Sequence, residues 1–489
     1  MAAGSASFAL ARRGCDVARA SLRLGVGRGA VSVRSKVGFR AKHTQVARSH
    51  VSCAQLEPKH PCATTCPCFE NVKGGKPWPV DFSVDSSTIA EYANCEPTPL
   101  RLEEVLAMRD TQGTMHLLQK ELKVRLAIRI AHLDSLEDVG TIEALRCARA
   151  RLVRSFQDVR DASLGNATPE EFVSVIKMLK LRHSDQIQRL TQGMQEMKRL
   201  RTQRGEAEED AVEVIDSFLN RFVLSRIGIE MLNSQYLALF KKKSGIVDPH
   251  CDPCAIAKLA ASHARRIAMS EFDFPLPEVE ISFFGLESAR TLPLVPSYLL
   301  YILMELLKNS FGAVGEKQKR LLQAGLPAGQ MDPIVIRVAS DEAQVVLDIF
   351  DRGGGIPFQH QPHIWSYMYS TRSRSAPDGN EACTPLGGFG VGLPLSRLYA
   401  EYIGGSLHLM SMPNFGTHAF LFLQRCSSRK EGMPTYVNWL RKRALLDELH
   451  DMEARKRAAA DIEDYAEALR LKGLAAEARG KLTRLDRWG

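Results

Sequence analysis

The sequence predicts an α+β protein: an N-terminal four-helix bundle, then an α/β sandwich with a mixed sheet and helices on one face. Three observations predict it. From about residue 85 to 245 the apolar residues recur at the helical period. After residue 246 short strand-like runs alternate with helix-like ones. Two glycine-rich boxes then fall where glycine is needed, one after a strand and one before a helix.

The helical part is clearest in VIDSFLNRFVLSRIGIEMLNSQYLALF. There Ile215, Phe218, Leu219, Phe222, Ile227 and Leu232 form a core-facing stripe. MHLLQKELKVRLAIRIAHL and FVSVIKMLKLRHSDQIQRLTQGMQEMKRL repeat the pattern. The breaks SLEDVG and SLGNATPE separate them, which makes four packed helices the economical reading.

In the second part a helix over about 254–270 leads to the strand EVEISF. The helix SYLLYILMELLKNSFGAVGE follows, then the strands PIVIRVAS and AQVVLDIF, joined by the polar turn SDEA. Residues 356–387 read as a loop. The helix PLSRLYAEYIGG ends on Gly404 and Gly405, as helices often do. GSLHLMS and THAFLFLQR close the sheet as a hairpin through PNFG. The chain thus divides into residues 1–50, a Cys-rich linker 51–84, the bundle 85–245, the sheet domain 246–426 and a charged helical tail 427–489.

Charge narrows the function classes. The net charge of +9 lies wholly in residues 1–50, which carry ten Lys or Arg and one acid, Asp16. The remaining 55 basic and 55 acidic residues balance, so the body has no excess for a nucleic-acid backbone. No run of 18 apolar residues predicts a membrane span. Rich in Arg, Ala and Ser and nearly free of acid, the first segment fits an organellar transit peptide, most simply mitochondrial.

Cys53, Cys62, Cys66 and Cys68 cluster beside prolines, without the second pair a zinc site needs. Cys251 and Cys254 form CDPC. A redox pair is one reading; the entry of the next helix, started by Asp252 and Pro253, is the other.

Three motifs carry chemistry. Glu305, Lys308 and Asn309 lie in MELLKNS. Glu305 and Asn309, four apart, share a helix face. An Asn carbonyl suits Mg²⁺ that also binds phosphates and water, and a carboxylate beside it can take a proton. The bland reading of Glu305 and Lys308 is a solvent-facing ion pair one turn apart. Asp351, in FDRGGGIP, ends an apolar strand; it can accept a hydrogen bond from an adenine amino group while Gly353 and Gly355 let the backbone approach. Gly388, Gly390 and Gly392 precede a helix and could aim N–H groups at phosphates. Ser370 and Thr371 fall in the loop between, which would cover the nucleotide. No G-x-x-x-x-G-K-[ST] occurs, so the pattern is not a P-loop. It resembles the ATP site of gyrases, histidine kinases and heat-shock chaperones.

The resemblance sharpens outside these boxes. KELKVRLAIRIAHL, LRHSDQIQRLTQG, FLNRFVLSRIGIEMLNSQY, VPSYLLYILMELLKN, IWSYMYSTRSRS and GFGVGLPLSRLYAEYIGG are similar to signatures of the mitochondrial α-ketoacid dehydrogenase kinases, over about residues 95–440. That resemblance implies a matrix serine kinase that phosphorylates the E1 subunit of a pyruvate or branched-chain dehydrogenase complex. It also implies docking on the lipoyl domain of E2, a homodimer, and ATP with Mg²⁺ as cofactors. Carried over residue by residue, Glu305 is the general base, Asn309 the Mg²⁺ ligand and Asp351 the adenine anchor. Ser370, Thr371, Gly388, Phe389, Gly390, Val391, Gly392 and Leu393 are phosphate and lid contacts, and Thr417 backs the adenine pocket. His183, with Asp185, falls in a motif facing the site.

There are departures. Gly312 stands where the family carries an Arg near the phosphates. Tyr301 matches the branched-chain type, whereas SYMYST matches the pyruvate type. Two rivals share the ATP site: a histidine kinase, which would need an acceptor His followed by an acid and a Pro, and a non-catalytic ATP-dependent scaffold. His183 is followed by Ser184, Asp185 and Gln186.

Overall fold

A computed structural model describes residues 86–136, 138–326, 331–371 and 390–425, with helical stretches at 451–459 and 464–488. The basic N-terminal segment, the Cys53–Cys68 cluster, Gly388 and Phe389 lie outside the described residues.

Two short helices, α1 (Ser86–Ala93) and α2 (Leu102–Ala107), lead into the bundle. Its rods are α3 (Thr111–Asp134), α4 (Glu143–Leu164), the pair α5 (Pro169–Arg182) and α6 (Gln186–Gln203), and α7 (Glu208–Phe240). Local chemistry starts them. The Asp110 carboxylate accepts from the N–H groups of Gln112 and Gly113 at the head of α3. Thr168 and Glu171 form a reciprocal cap at α5, with Pro169 in its first turn. Leu118, Leu122, Leu126, Phe156, Phe172, Ile176 and Phe222 are fully buried between the rods. Each contributes roughly 1.5–3 kcal/mol by leaving water.

The third rod is broken at His183–Asp185, where the sequence shows neither Pro nor Gly. Tertiary bonds occupy the break. Ser155 Oγ lies 2.9 Å from His183 Nε2, and Asp185 accepts from Arg151 at 2.5 Å and from Arg189 at 2.7 Å.

The second part holds a small ladder and a main sheet. β1 (Asp248–Cys251) pairs antiparallel with β3 (Leu292–Leu294). The main sheet has the order β2-β4-β5-β7-β6, from β2 (Val279–Phe284), β4 (Ile334–Ser340), β5 (Gln344–Asp351), β6 (Ser406–Met412) and β7 (Gly416–Gln424). β2 and β4 run parallel and every other pair is antiparallel, so the sheet is mixed. Ile334, Ile336, Val338, Leu347, Ile349 and Leu421 alternate onto one buried face. Against it lie α8 (Pro253–Ala268), α9 (Pro296–Gln323) and α10 (Gly392–Tyr402).

α10 also touches α7 and so ties the two parts together. Its Tyr402 hydroxyl donates to the Met231 Sδ sulfur on α7 at 3.6 Å. Its Tyr399 ring sits 4.9 Å from Tyr298 and 4.8 Å from Tyr301 of α9. The charged tail is helical over Tyr465–Trp488.

CDPC is the start of a helix. Asp252 accepts from the Cys254 N–H at 2.9 Å and Pro253 opens α8. Both cysteines are buried free thiols; burial, with Asp248 and Asp252 nearby, pushes Cys251 up to about 12. That is the opposite of a redox-active thiol.

Candidate functional site

The site runs along one helix. α9 enters at Pro296, without an N-terminal side-chain cap, and buries Leu299, Ile302, Leu303, Leu306, Leu307 and Phe311 against the sheet. This fixes the opposite edge of the helix. Glu305 and Lys308 lie there only 19% and 16% exposed, as an ion pair of 2.7 Å. The pair expected on the bland reading is therefore present, but half-buried. Asn309 is exposed, and its side chain makes no hydrogen bond among the described residues. Gly312 is buried in the next turn.

The C-terminal pole of this face meets the end of β5. Ser310 Oγ donates to Asp351 Oδ2 at 3.0 Å, and the Gly353 N–H donates to Oδ1 at 2.9 Å. Asp351 is 5% exposed. Burial pushes its carboxyl up to about 6, against the lowering effect of the Gly353 N–H, the Ser310 hydroxyl, His418 and Lys317. Gly353 packs so closely on Ala313 of α9 that a side chain would collide. Gly355 needs its glycine twice over: φ is +67°, and a β-carbon would strike the Met412 carbonyl.

Thr417 is the register partner of Asp351 across β5 and β7, and its hydroxyl lies 2.8 Å from Ser411 Oγ. Gly416 lies so close to the Asp351 carbonyl that a β-carbon would collide with it. The β6–β7 turn closes this end, with Asn414 left-handed at φ 64° and its N–H donating to the Gly354 carbonyl at 2.7 Å.

The N-terminal pole meets the start of α10. Gly392 faces Glu305: a β-carbon there would lie 2.5 Å from Glu305 Oε2. Val391 precedes it as the helix cap and Leu393 follows it, both half-buried. The first N–H groups of α10 are thus presented beside the Glu305 carboxylate. Ser310 lies five residue steps beyond Glu305 on α9, about 7.5 Å along the axis.

Gly390, at φ +70°, accepts a hydrogen bond on its carbonyl from the Met368 N–H at 2.9 Å. Met368 is itself left-handed at φ 63°, a conformation that costs a residue other than glycine about 1–3 kcal/mol. Ser370 and Thr371 follow it, both exposed.

His183 stands apart from this arrangement. It closes α5 inside the bundle, 6% exposed. Burial, then the guanidinium groups of Arg129, Arg182, Arg226 and Arg151, hold it well below the usual imidazole range, so it is neutral. Its Nε2 lies 2.9 Å from Ser155 Oγ, and its Nδ1 is buried with no hydrogen-bond partner among the described residues.

The structure thus gathers Glu305, Lys308, Asn309, Asp351, Gly353, Gly355, Gly390, Val391, Gly392, Leu393 and Thr417 around α9. It leaves His183 in the bundle. It adds Ser310, which sequence reasoning missed. Ser310 follows Asn309 directly, but only the fold shows that its hydroxyl meets Asp351.

A family model described as mitochondrial branched-chain alpha-ketoacid dehydrogenase kinase matches residues 100–261. A second, described as histidine kinase-, DNA gyrase B-, and HSP90-like ATPase, matches residues 295–426. The chain is similar to the mitochondrial [pyruvate dehydrogenase (acetyl-transferring)] kinase of Drosophila melanogaster, 32% identical over 376 residues, covering 72% of this chain and 89% of the relative. The mitochondrial enzyme of the same description from Arabidopsis thaliana is 33% identical over 330 residues, covering 65% and 86%. Isozyme 1 from Homo sapiens is 30% identical over 394 residues, covering 74% and 83%.

Proposed function

The chain belongs to the mitochondrial α-ketoacid dehydrogenase kinase family, and we propose that it transfers the γ-phosphate of ATP to serine on the E1 subunit of the pyruvate dehydrogenase complex. The observation that carries this reading is the contact of Gly392 with Glu305, which brings a half-buried carboxylate to the N-terminus of α10. Anions favour a helix N-terminus, and the serine must be deprotonated where the phosphates lie.

In this reading Asp351, with Thr417 behind it, receives the adenine amino group. The backbone from Gly390 to Leu393 holds the phosphates, with Ser370, Thr371, Gly388 and Phe389 as further contacts that the family resemblance implies. The serine oxygen attacks the γ-phosphorus while the bond to the β,γ-bridging oxygen breaks and ADP leaves. The Glu305 carboxylate takes the serine proton, and Lys308 stabilises the carboxylate before transfer. Asn309 fits a Mg²⁺ ligand, being an exposed amide with no side-chain bond among the described residues. The cation, when bound, neutralises phosphate charge. Gly312 contributes no cation where the family has Arg, so Lys308 is the charge that α9 itself brings to this pole.

The names of the relatives support the pyruvate complex and a mitochondrial location. The matrix is the proposed compartment, since the substrate complex resides there, and the basic residues 1–50 fit the import signal. Docking on the lipoyl domain of E2 rests on the family resemblance of the helical segments. A homodimer is supported by the far face of the sheet. There Phe350, His418 and Phe420 stack at 4.2 and 5.6 Å, and Met410 and Met412 on β6 are exposed. Tyr301, packed on Tyr399, favours the branched-chain complex as the second reading.

Incubation with labelled ATP and purified E1 and E2 of both complexes tests the assignment. Acid-stable phosphate on pyruvate dehydrogenase E1 is the expected result. Labelling of branched-chain E1 alone would reverse the substrate, and no labelling of either would remove the kinase reading.

A further inference from the structure

The phosphate pole is held from the bundle as well as from the sheet domain. Asp216 and Asn220, one turn apart on α7, share a helix face. Both grip one residue of the segment before the phosphate-facing turn. The Tyr367 N–H donates to Asp216 Oδ1 at 2.9 Å, and the Tyr367 hydroxyl donates to Asn220 Oδ1 at 2.9 Å. Ser366 adds a side-chain hydrogen bond to Asp216. Tyr367 is 4% exposed, so it is locked at both ends and packed between.

The next residue passes the constraint on. Met368, forced into the left-handed region, donates its N–H to the Gly390 carbonyl at 2.9 Å, and Gly390 has no room for a side chain: a β-carbon would lie 2.6 Å from the Met368 carbonyl carbon. Two residues on, Gly392 abuts Glu305. A contiguous set of contacts therefore runs from α7 through Tyr367, Met368 and Gly390 to the Glu305 carboxylate. The Asp351 pole has no part in it. Its contacts are to Ser310, Gly353 and β7.

We propose that Asp216 and Asn220 are positioning residues of the helical bundle that hold the Gly390–Gly392 turn in its phosphate-binding place against Glu305 by clamping Tyr367. The proposal rests on the kinase reading of the site, and it predicts that the clamp affects the phosphate end of the nucleotide and leaves the adenine end alone. Asp216 acts as an acceptor oxygen, not as a charge: its carboxylate is half-buried against a backbone N–H and a hydroxyl, bonds that an amide oxygen can also receive.

The test uses the full chain, with calorimetry of ATP and of adenosine and with steady-state kinetics on E1. Asp216→Ala should weaken ATP binding and raise KM for ATP about tenfold, the scale of one lost hydrogen bond. Adenosine affinity should not change. Asp216→Asn, which keeps the acceptor, should restore ATP affinity to within about twofold. Tyr367→Phe and Asn220→Ala each remove one end of the same bond, so the double variant should be no worse than either alone. If Asp216→Ala does not fold, Tyr367→Phe, which loses a single oxygen, carries the test with the same readouts.

Unchanged ATP affinity in these variants overturns the proposal. So does an equal loss for ATP and adenosine, which would mean general loosening, and so does an Asp216→Asn variant as impaired as Asp216→Ala. Failure of the kinase reading is seen separately, as absence of phosphate transfer by the unmodified chain, and the ATP and adenosine affinities remain decisive in that case.

Discussion

Gly392 lies against Glu305 so closely that a β-carbon would be 2.5 Å from the Glu305 Oε2 atom. Helix α10 begins at this contact, and the carboxylate proposed to take the serine proton is wedged by a backbone with no side chain. Gly392→Ala keeps an ordinary helical backbone but must push the carboxylate aside. Phosphoryl transfer should fall on the order of 10²-fold, the scale of a misplacement of about 1 Å at a reacting centre. Adenosine binding should be unaffected. A variant with the original rate would show that Glu305 has room to move without consequence.

Glu305→Gln isolates the proton transfer. The amide fills the same space and loses the ion pair with Lys308, whose partners are 19% and 16% exposed. Transfer should drop by about 10²–10⁴-fold while ATP still binds. Near-normal turnover by the purified variant would remove Glu305 from the role of base.

Asp351 sets a pH dependence. Its carboxyl is pushed up to about 6 by burial, above the unfolded value of about 3.9. A raised carboxyl favours folding when protonated. Its contribution to the ligand-free protein is therefore full below about pH 4 and is lost as pH rises through about 6. Nucleotide binding runs the other way, because the ionised carboxylate is the better acceptor for the adenine amino group. ATP affinity should fall between pH 7 and 5, with proton release on binding near pH 6. Asp351→Ala should abolish binding. Calorimetry across that range checks both, and a flat profile with tight binding in the alanine variant would place the adenine elsewhere.

His183 should never carry phosphate. Its ring is buried beside Ser155 and kept neutral by burial and by four guanidinium groups. Acid treatment separates the cases, since phosphoserine survives it and phosphohistidine does not. Acid-labile label on His183 that can be passed onward would favour the histidine-kinase alternative.

Much of this fold was legible because period and punctuation agreed. α9 shows its face in Glu305, Lys308 and Asn309, and the turns around Asp351 and before α10 are written in glycine. The N-cap Asp252 and the hairpin through PNFG are local signals of the same kind. What escaped was held from a distance. The β1–β3 ladder pairs DPHC with LPL, segments too short to alternate. The break at His183–Asp185 has no Pro or Gly and is maintained by Ser155, Arg151 and Arg189. Ser310, Asp216 and Asn220 look like ordinary polar helix residues until Asp351 and Tyr367 are placed beside them.

The pairing of Asp351 with Thr417 has a consequence for how the protein is made. Synthesis delivers α9 and β5 first, and at that stage the Asp351 edge of β5 has no neighbour on the β7 side. A growing chain that has not yet reached Gly416 therefore has an acidic strand end and an open ladder in place of a nucleotide pocket. It cannot be stabilised by the nucleotide of its surroundings, because ligand stabilises only what it binds. The ribosome must release β7 before ATP can reward correct folding. Fragments that stop short of it should be prone to edge-to-edge association.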